Sequence, residues 1–191
     1  MYRHIDLIAF LCYYLYMSAE TETVTFRDAR RDDIDFLRRM CRAAVFEMVG
    51  QNLPAEEVPT VEEAMTEHEL GVFVDGFGRD GDYGLIAQKN GENIGAAWYR
   101  HYERDSDEPP YELSIALKGE HTGNGIGPEL INGLMQHAAS EDIDVMSLQV
   151  HIDNEAGRKA YDRLGFKPIR EVDEHGYVLM TAPTAPFAEL K

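Results

Sequence analysis

The order of apolar and polar residues predicts an α/β (α+β) protein, a mixed sheet of about six to seven strands flanked by about four helices. Three observations carry this. Short alternating segments bounded by turn residues recur from Val24 onward, and Lys89-Asn90-Gly91-Glu92 joins two of them, Asn-Gly being the strongest short hairpin signal. A glycine-rich turn, HTGNGIGPEL, then leads from a strand straight into a helix that must cross back over the sheet. The predicted order is β-α-α-β-β-β-α-β-α-β-β.

Val24 to Arg30 alternates as a first strand, and Asp32 or Asp33 is placed to cap the helix after it. Ile34, Leu37, Met40, Cys41, Ala44, Val45 and Met48 mark one face of that helix, which should end near Gly50. Residues 51–60, with two prolines, read as a loop, and a second helix starts at Val61 with room to run toward Phe77. YGLIAQ and NIGAAWYRHY form the hairpin, and YELSIAL follows an acidic loop at residues 103–110. A helix is expected from about Pro128 to Ser140, a strand over Val145–His151, a helix over Glu155–Leu164, and closing strands over Phe166–Glu171 and Tyr177–Thr181. The strands on either side of the 128–140 helix should be parallel, because a helical crossover demands it.

Composition bounds the partners. The chain has 191 residues, 44% of them hydrophobic, enough for one real core. Its 35 acidic against 18 basic residues give a formal charge of −17, which repels nucleic-acid backbones and anionic membrane surfaces. Thirteen of the basic residues are Arg and five Lys, and this skew beside so many carboxylates is halophile-like, the pattern of a protein soluble in a salty cytoplasm. Cys12 and Cys41 have no metal-like spacing and are too few for a disulfide framework, so a reducing cytoplasmic setting fits and no metal is expected.

The first segment differs from the rest. Residues 7–17 form an apolar run of eleven, short of the roughly 20 needed to span a bilayer. Its length and Arg3 suit a secretory signal core, yet Met17-Ser18-Ala19 is a poor cleavage site, and a start at Met17 is the favoured reading. Residues 1–22 are expected to be an extension, 23–184 a single domain and 185–191 a tail.

Gly123, Gly125 and Gly127 alternate directly after a strand and before a helix. Glycines there let the backbone approach an anion, and the N–H groups at a helix start supply donors and partial positive charge. Pro128 suits the first helical position and has no N–H, so the donors must come from residues 123–127. A Walker loop would need Lys and Ser or Thr where this chain has Pro128 and Glu129, and a dinucleotide-binding turn would want wider glycine spacing. A merely tight turn remains the plain alternative.

These residues resemble the GNAT superfamily of N-acetyltransferases, whose pyrophosphate loop Q/R-x-x-G-x-G/A maps onto Thr122-Gly123-Asn124-Gly125-Ile126-Gly127, with Thr122 where Gln or Arg is usual. A second signature, N-x-x-A followed by Tyr and Gly-Phe, is similar to Asn154 through Tyr161 with Gly165-Phe166 behind it, its alanine shifted or replaced by Gly157. The likeness runs from about Val24 to Pro183. It implies acetyl-CoA as co-substrate, held by this loop and by backbone of Ile115, Ala116 and Leu117 where the fourth and fifth strands splay, with Asn154 and Tyr161 alongside. It implies an amine, of a small molecule or of a protein, attacking the thioester directly, with Tyr161 as acid and Glu112 as base, His121 and His151 being rivals for the base. Arg158 and Lys159 are candidates for the remaining phosphate. Trp98 and Tyr99, with the 51–60 loop and the second helix, are expected near the acceptor. A non-catalytic acyl-CoA-binding or regulatory module is the alternative, and a homodimer is left open.

Overall fold

The computed structural model describes residues 23–47, 54, 56–103, 108–170 and 172–188. The expected 1–22 extension with Cys12, the helix end near Gly50, and parts of the 51–60 and 103–110 loops and of the tail lie outside them.

A seven-stranded mixed sheet runs β1-β2-β3-β4-β5-β7-β6. The strands are β1 Val24–Asp28, β2 Tyr83–Lys89, β3 Glu92–His101, β4 Tyr111–Leu117, β5 Val145–His151, β6 Lys167–Pro168 and β7 Tyr177–Pro183. Four α-helices accompany it: α1 Ile34–Phe46, α2 Val61–Thr66, α3 Ile126–Ser140 and α4 Glu155–Arg163. All pairings are antiparallel except β4 with β5, the pair that α3 connects. No helix among the described residues is long and apolar enough to cross a membrane.

Strand parity sorts the core into two layers. Ala97, Tyr99 and Leu113 pack with Leu130, Ile131, Leu134 and Met135 of α3, and half-buried Tyr161 of α4 joins that layer. Ile86, Ala96, Trp98 and Ala116 pack on the other face with Phe36, Leu37, Met40 and Cys41 of α1 and with Ala64 and Met65 of α2. Each fully buried Leu or Ile contributes about 1.5–3 kcal/mol through area removed from water. The Asn90-Gly91 turn takes φ of 52° and 81°, the two left-handed residues that a tight hairpin requires.

Several boundaries differ from expectation for local reasons. Asp33 precedes α1 without capping it, because its carboxylate takes Arg27 at 2.7 and 2.8 Å and the Arg30 N–H at 2.8 Å. The Arg27 hydrogen bond draws the Asp33 carboxyl below its usual range. Helix α2 is capped by the Thr60 and Glu63 pair but stops at Thr66 instead of running to Phe77. Glu69 takes φ 58° and a 3-10 turn, Leu70–Phe73, follows. Strand β6 shrinks from the expected Phe166–Glu171 to two residues, since Pro168 has no N–H for a ladder. β7 is longer than expected, pairing with β5 from Tyr177 to Pro183. Beyond it, Ala185–Phe187 form a 3-10 turn and Phe187 packs into the core.

Candidate active site

β4 is bound along its whole length to β3, from Tyr111 opposite His101 to Leu117 opposite Gly95. Toward β5 it has one register pair, Glu112 with Ser147. Ser147 Oγ donates to the Tyr111 carbonyl at 2.7 Å and Gln149 Nε2 to Glu112 Oε1 at 3.2 Å, which ties the two strands at this point. β5 itself is fully paired to β7, so beyond Glu112 the two ladders part. The Lys118 N–H donates to the Ile94 carbonyl at 2.9 Å, which sets the phase of β4 on β3. By alternation, Ala116 spends its backbone groups on Ala96, while Ile115 and Leu117 turn theirs toward the gap. Of the three residues expected to offer backbone contacts, Ile115 and Leu117 therefore face the gap and Ala116 faces β3.

The glycine loop follows the C-terminal end of β4, where the two ladders have parted. Gly123 and Gly125 take φ of 77° and 83°, conformations that disfavour any other residue, with open space where a Cβ would stand. A Cβ on Gly127 would stand 3.7 Å from Leu117 Cδ1 and 3.8 Å from Ile115 Cδ1, so the loop is seated on the side chains of β4. Helix α3 begins at Ile126 rather than Pro128, which places the proline third, where an N–H would also lack an intrahelical partner. The first bond of the helix runs from the Glu129 N–H to the Gly125 carbonyl, and no main-chain acceptor among the described residues takes the N–H groups of Gly123 to Gly127. Thr122 adds no donor there, because its hydroxyl donates to the Gly119 carbonyl at 2.7 Å.

Across the gap, Asn154 caps α4 by accepting from the Gly157 N–H at 2.9 Å. A Cβ at Gly157 would lie within 2.7–2.9 Å of the Asn154 side chain, which accounts for glycine at this place in the motif. Two turns on, the Tyr161 ring packs edge to face on Phe166 at 6.1 Å, and its hydroxyl makes no hydrogen bond among the described residues. Burial pushes that hydroxyl up to about 12. Glu112 is buried, 4% exposed, on the opposite face of the sheet from the layer Tyr161 joins. Of the rivals, His151 Nδ1 accepts the Asp153 N–H at 3.2 Å and His121 Nε2 lies 3.5 Å from Glu120. Arg158 donates to the Ile152 carbonyl at 3.2 Å and Lys159 to Glu155 at 3.1 Å.

The expected acceptor aromatics are core. Trp98 and Tyr99 are 0% and 1% exposed, the indole donating to the Phe73 carbonyl at 2.8 Å and the phenol paired with His137 Nδ1 at 2.7 Å. Both point into layers already filled. The open space lies at the end of β3 instead, a cavity of about 820 Å³ lined by Met65, Glu69, Val72, Asp75, His101 and Glu103 among others. Behind its wall stands Arg100, which sequence reasoning missed. This side chain is 1% exposed, directly opposite Glu112 in the β3–β4 register, and donates from Nε to Asp82 at 3.2 Å and from Nη1 to the Val72 carbonyl at 3.1 Å. A charge directly after the apolar stretch Ile94–Tyr99 of β3 was its one sequence signal.

The Acetyltransferase (GNAT) family model matches residues 44–166, which include β4, the glycine loop, Asn154 and Tyr161. A mycothiol acetyltransferase of Acidimicrobium ferrooxidans is 32% identical over 83 residues, a match covering 43% of this chain and 27% of that relative. Among solved structures, PaiA N-acetyltransferase from Thermoplasma acidophilum in complex with coenzyme A superposes with a TM-score of 0.65 at 20% identity, over 84% of this chain and 99% of that one. YncA from Salmonella typhimurium, a putative acetyltransferase with acetyl-CoA, gives 0.63 at 19% identity, over 85% and 94%. At such identities the superpositions speak for the fold, and the family match speaks for descent. The chain belongs to the GNAT family of acetyltransferases.

Proposed function

We propose that the protein transfers the acetyl group of acetyl-CoA to an amine by direct attack on the thioester. The observation that carries this reading is the parting of β4 from β5 after one shared pair, beside a loop whose N–H groups are unspent. Such donors at a helix start suit a pyrophosphate, and they work through local dipoles that a net charge of −17 does not cancel. In this reading Gly123 to Gly127 hold the phosphates, and the pantetheine arm lies in the gap against the backbone of Ile115 and Leu117. Acetyl-CoA is an intracellular metabolite, which favours a cytoplasmic setting.

The acceptor approaches through the cavity at the end of β3. An ammonium has no lone pair, so Glu112 takes its proton, directly or through water, and the freed amine adds to the thioester carbonyl. The N–H groups of β4 that face the gap stabilise the resulting oxyanion. On collapse the C–S bond breaks and the thiolate leaves. A phenol held near 12 is a weaker acid than a thiol, so Tyr161 serves by donating a hydrogen bond to the departing sulfur, whose proton comes from the addition intermediate or solvent. The products are an N-acetylated amine and free CoA.

Release of CoA from acetyl-CoA, followed against a panel of primary amines, tests the proposal. Amine-dependent release well above thioester hydrolysis is expected. Tight acetyl-CoA binding without it would sink the enzyme reading and leave a non-catalytic acyl-CoA-binding module on the same fold.

A further inference from the structure

We propose that Arg100 is a positioning residue for the acceptor, fastening the wall of the acceptor cavity to the sheet opposite Glu112. The inference rests on the acyl-transfer reading above for what the cavity holds, and on geometry of its own for the fastening.

The wall is the segment from Leu70 to Asp82, which has little regular structure to hold it: a 3-10 turn, then turns with φ of 68°, 97° and 87° at Gly76, Gly78 and Gly81. Among the described residues two side chains of β3 tie it down: the Trp98 indole, which donates to the Phe73 carbonyl at 2.8 Å, and, beside the cavity, the Arg100 guanidinium. Nη1 holds the carbonyl of Val72, an exposed residue that lines the cavity. Nε holds Asp82 Oδ1, and the other carboxylate oxygen of Asp82 accepts the N–H groups of Gly78 and Arg79 at 3.1 and 3.2 Å. Arg100 and Asp82 side chains are each 1% exposed, so this pair is sealed from water and its geometry does not drift with solvent.

The third nitrogen, Nη2, is buried with no hydrogen-bond partner among the described residues. A group that served stability alone would be replaced with advantage by apolar packing, since an unmet buried donor costs about 1–3 kcal/mol. Arg100 is held in place despite that cost, at the β3 position paired with Glu112. A shift of the wall therefore moves the acceptor relative to the carboxylate that would deprotonate it, whereas the cofactor gap, on the far edge of β4, is untouched.

Two variants test this, Arg100→Met and the double variant Arg100→Met/Asp82→Asn, the second removing both buried charges so that a folded protein is obtained if the first fails to fold. With the best amine of the panel, KM for the amine is expected to rise about tenfold or more, with KM for acetyl-CoA and the hydrolysis rate within about twofold of the parent, a difference in acceptor binding of about 1.4 kcal/mol. Arg100→Lys, which keeps one bond of the fork, should fall between. Hydrogen exchange at the Gly78 and Arg79 amides should quicken in both variants while the β4 amides keep their protection. A folded variant with unchanged amine KM, or one that loses acetyl-CoA and amine binding in equal measure, overturns the proposal. If the parent turns over no amine at all, the acyl-transfer reading has failed instead, and unchanged exchange at Gly78 and Arg79 would then overturn the fastening on its own.

Discussion

Tyr161→Phe deletes one hydroxyl and keeps the ring on Phe166. Turnover is expected to fall about ten- to a hundredfold, the range for losing one transition-state hydrogen bond, with acetyl-CoA affinity nearly unchanged. Steady-state kinetics beside a direct binding measurement separates the two, and an unchanged kcat would remove Tyr161 from the mechanism. The sign of its pH effect follows from burial. The folded hydroxyl sits near 12 against about 10 when unfolded, so its contribution to stability is complete below pH 10 and is lost as pH rises toward 12. Denaturant titrations should show that loss in the parent and less of it in Tyr161→Phe. Tyr161 could be singled out only through the resemblance, although its place two turns into α4 follows from the Asn154 cap by helical spacing. Arg100 was not legible, because strand parity gives a side chain's face but not its depth. Its burial depends on the residue 70–82 segment folding over it, which no local pattern announces.

At the level of elements, Gly95 shows how tightly the sheet is built beside the gap. A Cβ there would meet Leu117 Cδ2 at 2.3 Å, the Ala116 carbonyl at 2.9 Å and Leu117 Cα at 3.1 Å. Gly95→Ala is therefore expected to cost about 1–3 kcal/mol in urea unfolding, with acetyl-CoA binding weakened because Leu117 must move. A variant as stable as the parent would mean that β3 and β4 have slack. Strands β4 and β5 could be read from sequence to the residue, and the Asn90-Gly91 hairpin to within one residue at its strand ends, since alternation and turn chemistry are local. Helix α2 could not, because its apolar spacing persists past Thr66 while the chain turns at Glu69 to bring Leu70 and Val74 under the sheet. The same holds for α3, where Pro128 marks the first turn without saying which of its residues it occupies. The splay could be expected only through resemblance. Nothing in YELSIAL or VMSLQVH tells one strand to leave the other after a single pair.

For the whole molecule the governing quantity is charge. Thirty-five carboxylates on a chain of 191 residues repel one another in dilute buffer, and salt shortens the reach of that repulsion from about 10 Å at 0.1 M to about 3 Å at 1 M. The thermal midpoint is expected to rise by about 5 °C or more between dilute buffer and molar KCl, with activity rising alongside, as differential scanning calorimetry and CoA release would record. A midpoint that stays put or falls would dismiss salt adaptation. Burial is shared between both faces of one sheet, so the layers should unfold together.

The parting of β4 and β5 has a consequence for the unliganded protein. Most sheets keep their unfinished edges at the rim, where charges, prolines and short strands guard them. This one carries two such edges in its middle, between strands that are otherwise fully paired. In the proposed reading acetyl-CoA behaves there as a borrowed strand, and its arrival completes a sheet that the polypeptide alone leaves in two halves. The protein's rigidity is then partly on loan from its substrate, and it is returned with each CoA that departs.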